Sequence, residues 1–283
     1  MKVYVIGCGR LNNDINLSYN NYNVGTRTNP KVETVWYQGP SYCVLIDHPE
    51  AGYVLYDIGS APNSDELWPE CITETCYYSP VEGETLTEGL AKLGLAPEDI
   101  KHIVISHMHM DHIGNIQLFK DTAEFWVSRP EAEFAFTTVM NGTDPANHGF
   151  YNRADVLAEL KVVHYVDEDC ELFSGIHAVI LPGHTPGVMG LVLELEDRNL
   201  ILTSDSLNAQ INYDGRLPGV IADTVSFYRS LDKIKKLQKR YDAMVWFGHD
   251  IAQFNGLKKI PDFYKSAPPA SAARRRPALS NTP

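Results

Sequence analysis

The segment His107-Met-His-Met-Asp-His112 puts three imidazoles and a carboxylate into six consecutive residues, directly after the apolar run Ile103-Val-Ile105. In an extended turn His107 and His109 project to one side, and Asp111 and His112 reach a neighbouring position as the chain bends. Imidazole nitrogen and carboxylate oxygen together suit a borderline divalent ion such as Zn2+, with Mn, Fe or Co as rivals. Four donors on one loop cannot close two metal positions, so others must come from elsewhere. Three stand in the same local setting, each at the end of an apolar run. His184 lies in Leu181-Pro-Gly-His-Thr-Pro-Gly187, Asp205 follows Leu200-Ile-Leu-Thr-Ser204, and His249 follows Val245-Trp-Phe-Gly248. A lone histidine after a strand is an ordinary structural residue; the joint set, built around so dense a loop, reads as a metal centre. His48, His102, His148, His164 and His177 lack such a motif and read as turn, surface or core residues.

The elements that must position these donors are legible from apolar patterning. Residues 1–6 read as a first strand, and Tyr42–Ile46 and Tyr53–Tyr56 as a β-hairpin about the turn-rich His48–Gly52. Residues 61–83 are polar and show no period. Glu84–Leu93 reads as a short helix stopped by Gly94, and Pro130–Thr138 as a helix with proline in its first turn. Glu124–Val127, Leu160–Val166, His177–Leu181, Val188–Leu195, Leu200–Thr203 and Met244–Phe247 are strand candidates. Asp223 is an N-cap for a helix reaching about Lys239, with Val225, Tyr228, Leu231, Ile234 and Leu237 as its apolar stripe. Strands cluster and helices intervene irregularly, which suits mixed sheets with outer helices in a single domain over residues 1–265. The segment 266–283, rich in Ala, Pro, Ser and Arg, is expected to be disordered or an appended tail.

Composition excludes several partners. The chain of 283 residues carries 24 Lys+Arg against 36 Asp+Glu, a net charge of −12. Such an acidic body repels a phosphate backbone, so nucleic acid is not an expected partner. With 44% hydrophobic residues it can bury a large core. No run approaches the ~18 apolar residues of a membrane span. No signal-peptide core follows the first strand, and the five scattered cysteines read as thiols of a reducing compartment, so a cytoplasmic location is expected. Gly7-Cys-Gly9 lacks the third glycine of a dinucleotide fingerprint and is discounted.

The order His-x-His-x-Asp-His, Gly-His, Ser-Asp-Ser and Gly-His resembles the metallo-β-lactamase superfamily. The segments Phe247-Gly-His-Asp-Ile-Ala-Gln253 and Leu181–Gly187 are most similar to its N-acyl-homoserine lactone lactonases, the quorum-quenching enzymes. The resemblance implies an α/β fold, an αβ/βα sandwich of two mixed β-sheets flanked by helices. It implies two divalent metal ions, zinc first among them: His107, His109 and His184 on one, Asp111, His112 and His249 on the other, and Asp205 bridging. A metal-bridging hydroxide would open a lactone ring, with Asp111 as the proton shuttle. Ser106 and Ser204 would be hydrogen-bonders behind the ligands. Glyoxalase-II-like thioesterases share nearly all of these ligands and are the alternative, together with other carboxylic-ester hydrolases. Persulfide dioxygenases share the first motif, and a sensing module that binds metal without turnover is a further possibility. The lactonases usually carry a tyrosine three residues after the bridging aspartate. Here that position is Asn208, a candidate substrate-binding residue, with Tyr213 as the other source of a hydroxyl. The expected partner is a small lactone or ester, bound by a monomer or homodimer.

Overall fold

The structure is a computed structural model that describes residues 1–196 and 198–265. The tail expected at 266–283 lies outside the described residues. Two mixed sheets face each other. The first runs β13 (Tyr264–Lys265), β1 (Lys2–Asp14), β2 (Trp36–His48), β3 (Gly52–Tyr56), β5 (His102–Val104), β6 (Glu124–Ser128), β7 (Val162–Val166), with β4 (Cys76–Ser79) paired to the far part of β1. The second runs β12 (Met244–Trp246), β11 (Leu200–Leu202), β10 (Met189–Leu193), β9 (Ile176–Ile180), β8 (Cys170–Phe173). The predicted hairpin is β2–β3, with Val44 opposite Tyr56 and His48 opposite Gly52. β3, β5, β6 and β7 are mutually parallel, as are β11 and β12.

Strands of the first sheet read as near-continuous apolar runs because both faces are covered. Val3, Val5, Val44, Ile46 and Val54 point to Ala178, Leu191, Leu202 and Trp246 of the other sheet. Their alternates Tyr4, Ile6, Leu45 and Leu55 pack outward with Leu86 and Leu90 of the helix Leu86–Lys92. The second sheet sends Val179, Val192, Ile201 and Val245 outward onto the helix Thr224–Tyr241. The result is helix, sheet, sheet, helix. Among the described residues no helix is long and apolar enough to cross a membrane.

Several expectations are corrected. Asp223 does cap the long helix, accepting from the Val225 and Ser226 amides. Its expected stripe is rotated, however: Val225 and Tyr228 are 58% and 48% exposed, and the buried face is Phe227, Leu231, Ile234, Leu237 and Tyr241. Stepping by threes from 225 drifts off a face that repeats every 3.6 residues. The aperiodic stretch 61–83 contains two one-turn helices, Ser64–Leu67 and Glu70–Thr73, and strand β4. The first strand continues well beyond residue 6, and Gly7-Cys-Gly9 lies at a break in its register. A Cβ on Gly9, whose φ is +85°, would fall 2.5 Å from the Tyr78 ring, so that glycine serves close strand packing.

Candidate metal centre

Every predicted donor lies just past the C-terminal end of a strand, and those ends share one edge of the sandwich. The loop after β5 carries His107 and His109, and His109 opens the one-turn helix Met110–Ile113 that presents Asp111 and His112. His184 follows β9, Asp205 sits in the turn Ser204–Ser206 after β11, and His249 follows β12. Both halves of the chain are therefore needed to build the site. At Gly248 a Cβ would stand 2.7 Å from Asp205 Oδ1, so glycine there lets the β12 loop reach the aspartate.

The seven side chains converge as two groups around one carboxylate. His109 Nδ1 lies 3.1 Å from His107 Nε2 and 3.0 Å from His184 Nε2. Asp111 Oδ2 lies 3.2 Å from His112 Nε2 and 3.5 Å from His249 Nε2. Asp205 stands between, with Oδ2 3.5 Å from His184 Nε2, and Oδ1 3.0 Å from His249 Nε2 and 3.3 Å from His112 Nε2. His107, His109 and His184 form one potential metal-holding group, Asp111, His112 and His249 another, and His107, His112 and Asp205 a third that overlaps both. Despite these short separations, the buried His112 Nε2 and Asp205 Oδ1 have no hydrogen-bond partner. Buried polar atoms are seldom left so, and ligand atoms aimed at a common point outside all of them are the case where they are. The donor set therefore fits a pair of divalent ions.

Hydrogen bonds behind the ligands orient several of the rings. His184 Nδ1 lies 2.9 Å from Val220 O and His249 Nδ1 2.8 Å from Pro40 O, so each Nδ1 carries a proton and each Nε2 is the atom left to face a cation. His112 Nδ1 faces Asp57 Oδ2 at 2.9 Å. Asp57 also accepts from the Ser106 amide at 2.7 Å and the Ser106 hydroxyl at 2.8 Å, and Ser204 Oγ is 2.8 Å from Ser106 Oγ. Ser106 and Ser204 thus hydrogen-bond beside the histidine loop. Asp57 was missed, although it too ends an apolar strand, β3; it stands 50 residues before the histidine loop, which hides the pairing.

Charge is distributed unevenly. Burial, aided by neighbouring imidazoles, pushes His107 and His109 well below the ordinary histidine range, leaving neutral imidazoles. Burial alone would raise the Asp111 carboxyl, but His112 and His249 bring it down to about 2. Burial opposes ionisation of Asp205 as well, and His249, His112 and His184 outweigh it. In return, His112 is lifted well above its ordinary value and His249 to about 9, against burial, by Asp111 and Asp205. Without ions, protons on His112 and His249 balance the carboxylates, and a divalent cation would take their place.

A cavity of about 60 Å³ opens over these groups. Leu11, Leu17, Trp68, Met110, Phe150 and Val220 give it apolar walls, and Asp111, Asp205 and Asn208 line it beside the histidines. Asn208 is buried, its Oδ1 has no partner, and its carbonyl accepts from the His249 amide at 2.8 Å. Tyr213 does not replace the missing tyrosine: its hydroxyl donates to Gln238 Oε1 at 2.5 Å, and it lines a separate hollow. Tyr37 does line the cavity, with its hydroxyl donating to His249 O at 2.7 Å.

This fold and this order of ligands define a metal-dependent class, and the chain belongs to the metallo-β-lactamase superfamily, whose family model matches residues 36–249. It is 30% identical over 278 residues to the N-acyl homoserine lactonase AiiB of Agrobacterium fabrum, spanning 93% of this chain and 99% of that one. It is 29% identical over 229 residues to an N-acyl homoserine lactonase of a Bacillus species, spanning 79% and 86%. Among solved structures it is similar to an N-acyl homoserine lactone hydrolase with N-hexanoyl-L-homoserine at its metal centre. There the TM-score is 0.77 at 24% identity, over 93% of this chain and 98% of that one. It also resembles AidC, a dizinc quorum-quenching lactonase, with TM-score 0.63 at 18% identity over 96% and 95%. These structural likenesses speak for the fold.

Proposed function

We propose that this chain is a dinuclear metal-dependent hydrolase that opens a lactone ring, with N-acyl-homoserine lactones as its substrate class. The observation that carries the reading is the Asp205 carboxylate, with one oxygen turned to His184 and the other to His112 and His249. A carboxylate so shared suits a bridge between two cations. His107, His109 and His184 would hold one ion, and Asp111, His112 and His249 the other. Zinc suits the imidazole and carboxylate donors best, with Mn, Fe or Co as rivals. When bound, such ions supply Lewis acidity toward an ester carbonyl and bring the pKa of a water toward neutrality.

The chain's own groups do the rest. Asp111 lines the cavity with one oxygen facing His112 and His249, which leaves the other to take a proton from the attacking water and return it to the leaving alkoxide. Asn208, which lines the cavity, would hydrogen-bond the substrate in the tyrosine's stead. Trp68, Met110, Phe150 and Leu11 offer an apolar wall for an acyl chain and exclude water from it. Among the described residues no Lys or Arg lines the cavity, which favours a neutral lactone over an anionic thioester. Lys258 and Lys259, the basic pair that follows His249, direct their ammonium groups to backbone carbonyls.

The test is acid release by the metal-replete protein from a panel of acyl-homoserine lactones and acyl thioesters. Lactones should be cleaved first. Intact lactones beside cleaved thioesters would overturn the substrate assignment.

A further inference from the structure

The helix Arg129–Met140 starts directly behind the metal loops, and its first turn carries a carboxylate with no part in the chemistry above. Glu131 is completely buried. It accepts from the Met108 amide at 2.9 Å and the Tyr151 hydroxyl at 2.9 Å through Oε1, and from the Thr185 hydroxyl through Oε2. Each donor belongs to the surroundings of a proposed ligand. Met108 lies between His107 and His109, and Thr185 follows His184. The Tyr151 ring meets the His109 imidazole edge-on, with centroids 4.6 Å apart.

The start of the helix is itself locked to the His184 loop. Ser128 Oγ accepts from the Glu131 amide at 3.3 Å and donates to Gly187 O at 2.5 Å. A Cβ on Gly187 would fall 2.2 Å from the Glu131 nitrogen, so helix and loop touch with no room for a side chain. A buried carboxylate is costly unless its acceptor capacity is used. Here three converging donors use it, one on the His107–His109 loop, one on the His184 loop and the third, Tyr151, on the segment between them.

We propose that Glu131 is the positioning residue of the three-histidine metal position, clamping the His107–His109 loop to the His184 loop at the spacing where the three imidazoles converge. The proposal rests on the reading that His107, His109 and His184 hold an ion. Supporting groups of this kind set metal affinity by about 10- to 100-fold. Glu131→Ala should therefore weaken that position by about this factor and leave the Asp111–His112–His249 position unchanged. Glu131→Gln should recover most of the loss. Its amide oxygen can accept from Met108 and Tyr151, and its NH2 can donate to the Thr185 hydroxyl.

The experiment is metal content of the full-length protein at buffered free Zn2+, with the visible spectrum of the Co2+-substituted protein reporting each position, and thermal unfolding run alongside. The expected result is one ion lost in Glu131→Ala at limiting metal, with rescue in Glu131→Gln. Both ions retained at unchanged affinity, or both lost in parallel without rescue by glutamine, would overturn the clamp. His184→Ala separates the two levels of argument. If it keeps both ions, the metal assignment fails; if it loses one while Glu131→Ala loses none, only the clamp fails. Should Glu131→Ala not fold, Thr185→Val and Tyr151→Phe each remove one donor, and unchanged affinity in both would equally refute the proposal.

Discussion

Replacing Asp57 by asparagine probes how the second metal position is held. Asp57 accepts three hydrogen bonds, from the Ser106 amide at 2.7 Å, the Ser106 hydroxyl at 2.8 Å and His112 Nδ1 at 2.9 Å. Its φ is +57°, a conformation asparagine adopts as readily as aspartate, so the backbone should not confound the result. The amide has two orientations, and both do damage. With its NH2 toward the Ser106 amide, two donors face each other in a buried site, at a cost of about 1–3 kcal/mol. With its NH2 toward His112, it donates to Nδ1 and moves the ring proton to Nε2, the atom aimed at the metal. A wrong tautomer of this kind should weaken the ion by about 10- to 100-fold, or about 1.4–2.7 kcal/mol. The assay is equilibrium metal content at buffered free Zn2+ together with kcat/KM for lactone hydrolysis. The ion of the Asp111–His112–His249 position should be lost first, and kcat/KM should fall with occupancy. Two ions bound at wild-type affinity with wild-type kcat/KM would refute the tautomer argument.

Other substitutions address separate parts of the account. Asp205→Asn should lower metal content and activity together, because a neutral amide bridges two cations poorly; normal stoichiometry and rate in that variant would contradict the bridge. Asn208→Ala should keep both ions and lose roughly 5- to 150-fold in kcat/KM, the worth of about 1–3 kcal/mol of substrate hydrogen bonding. An unchanged kcat/KM would remove Asn208 from the site. Burial holds the Asp155 carboxyl at about 7, against an ordinary 3.8. The folded state thus binds the extra proton across that window, and stability falls as pH rises through it. Asp155→Asn should stabilise the protein by about 1–3 kcal/mol at pH 8 and by nearly nothing at pH 4, read as thermal midpoints; equal shifts at both would contradict the burial argument.

What could be read in the sequence follows from how local each signal is. The metal loop is compact, and His184, Asp205 and His249 share one setting, the end of an apolar strand. The seven proposed donors were therefore visible before any tertiary contact. Asp57 stands in that setting too, but a carboxylate 55 residues from its imidazole has no local mark of its partner. Glu131 is less visible still, since a glutamate in the first turn of a helix looks like ordinary complement to the helix dipole. The sheets were legible because their strands are buried on both faces, whereas β4 is a four-residue strand flanked by single-turn helices, too short for a period to register. The misplaced stripe at Val225 and Tyr228 arose where apolar residues happened to fall on the exposed side of an otherwise regular helix.

The central claim is that two ions and one lactone meet at Asp205. It is tested most directly by titrating metal-free protein with Zn2+ while following acid release from an N-acyl-homoserine lactone. The rate should climb until two equivalents are bound and then level off. Full activity at one equivalent, or an intact lactone with two ions bound, would contradict it.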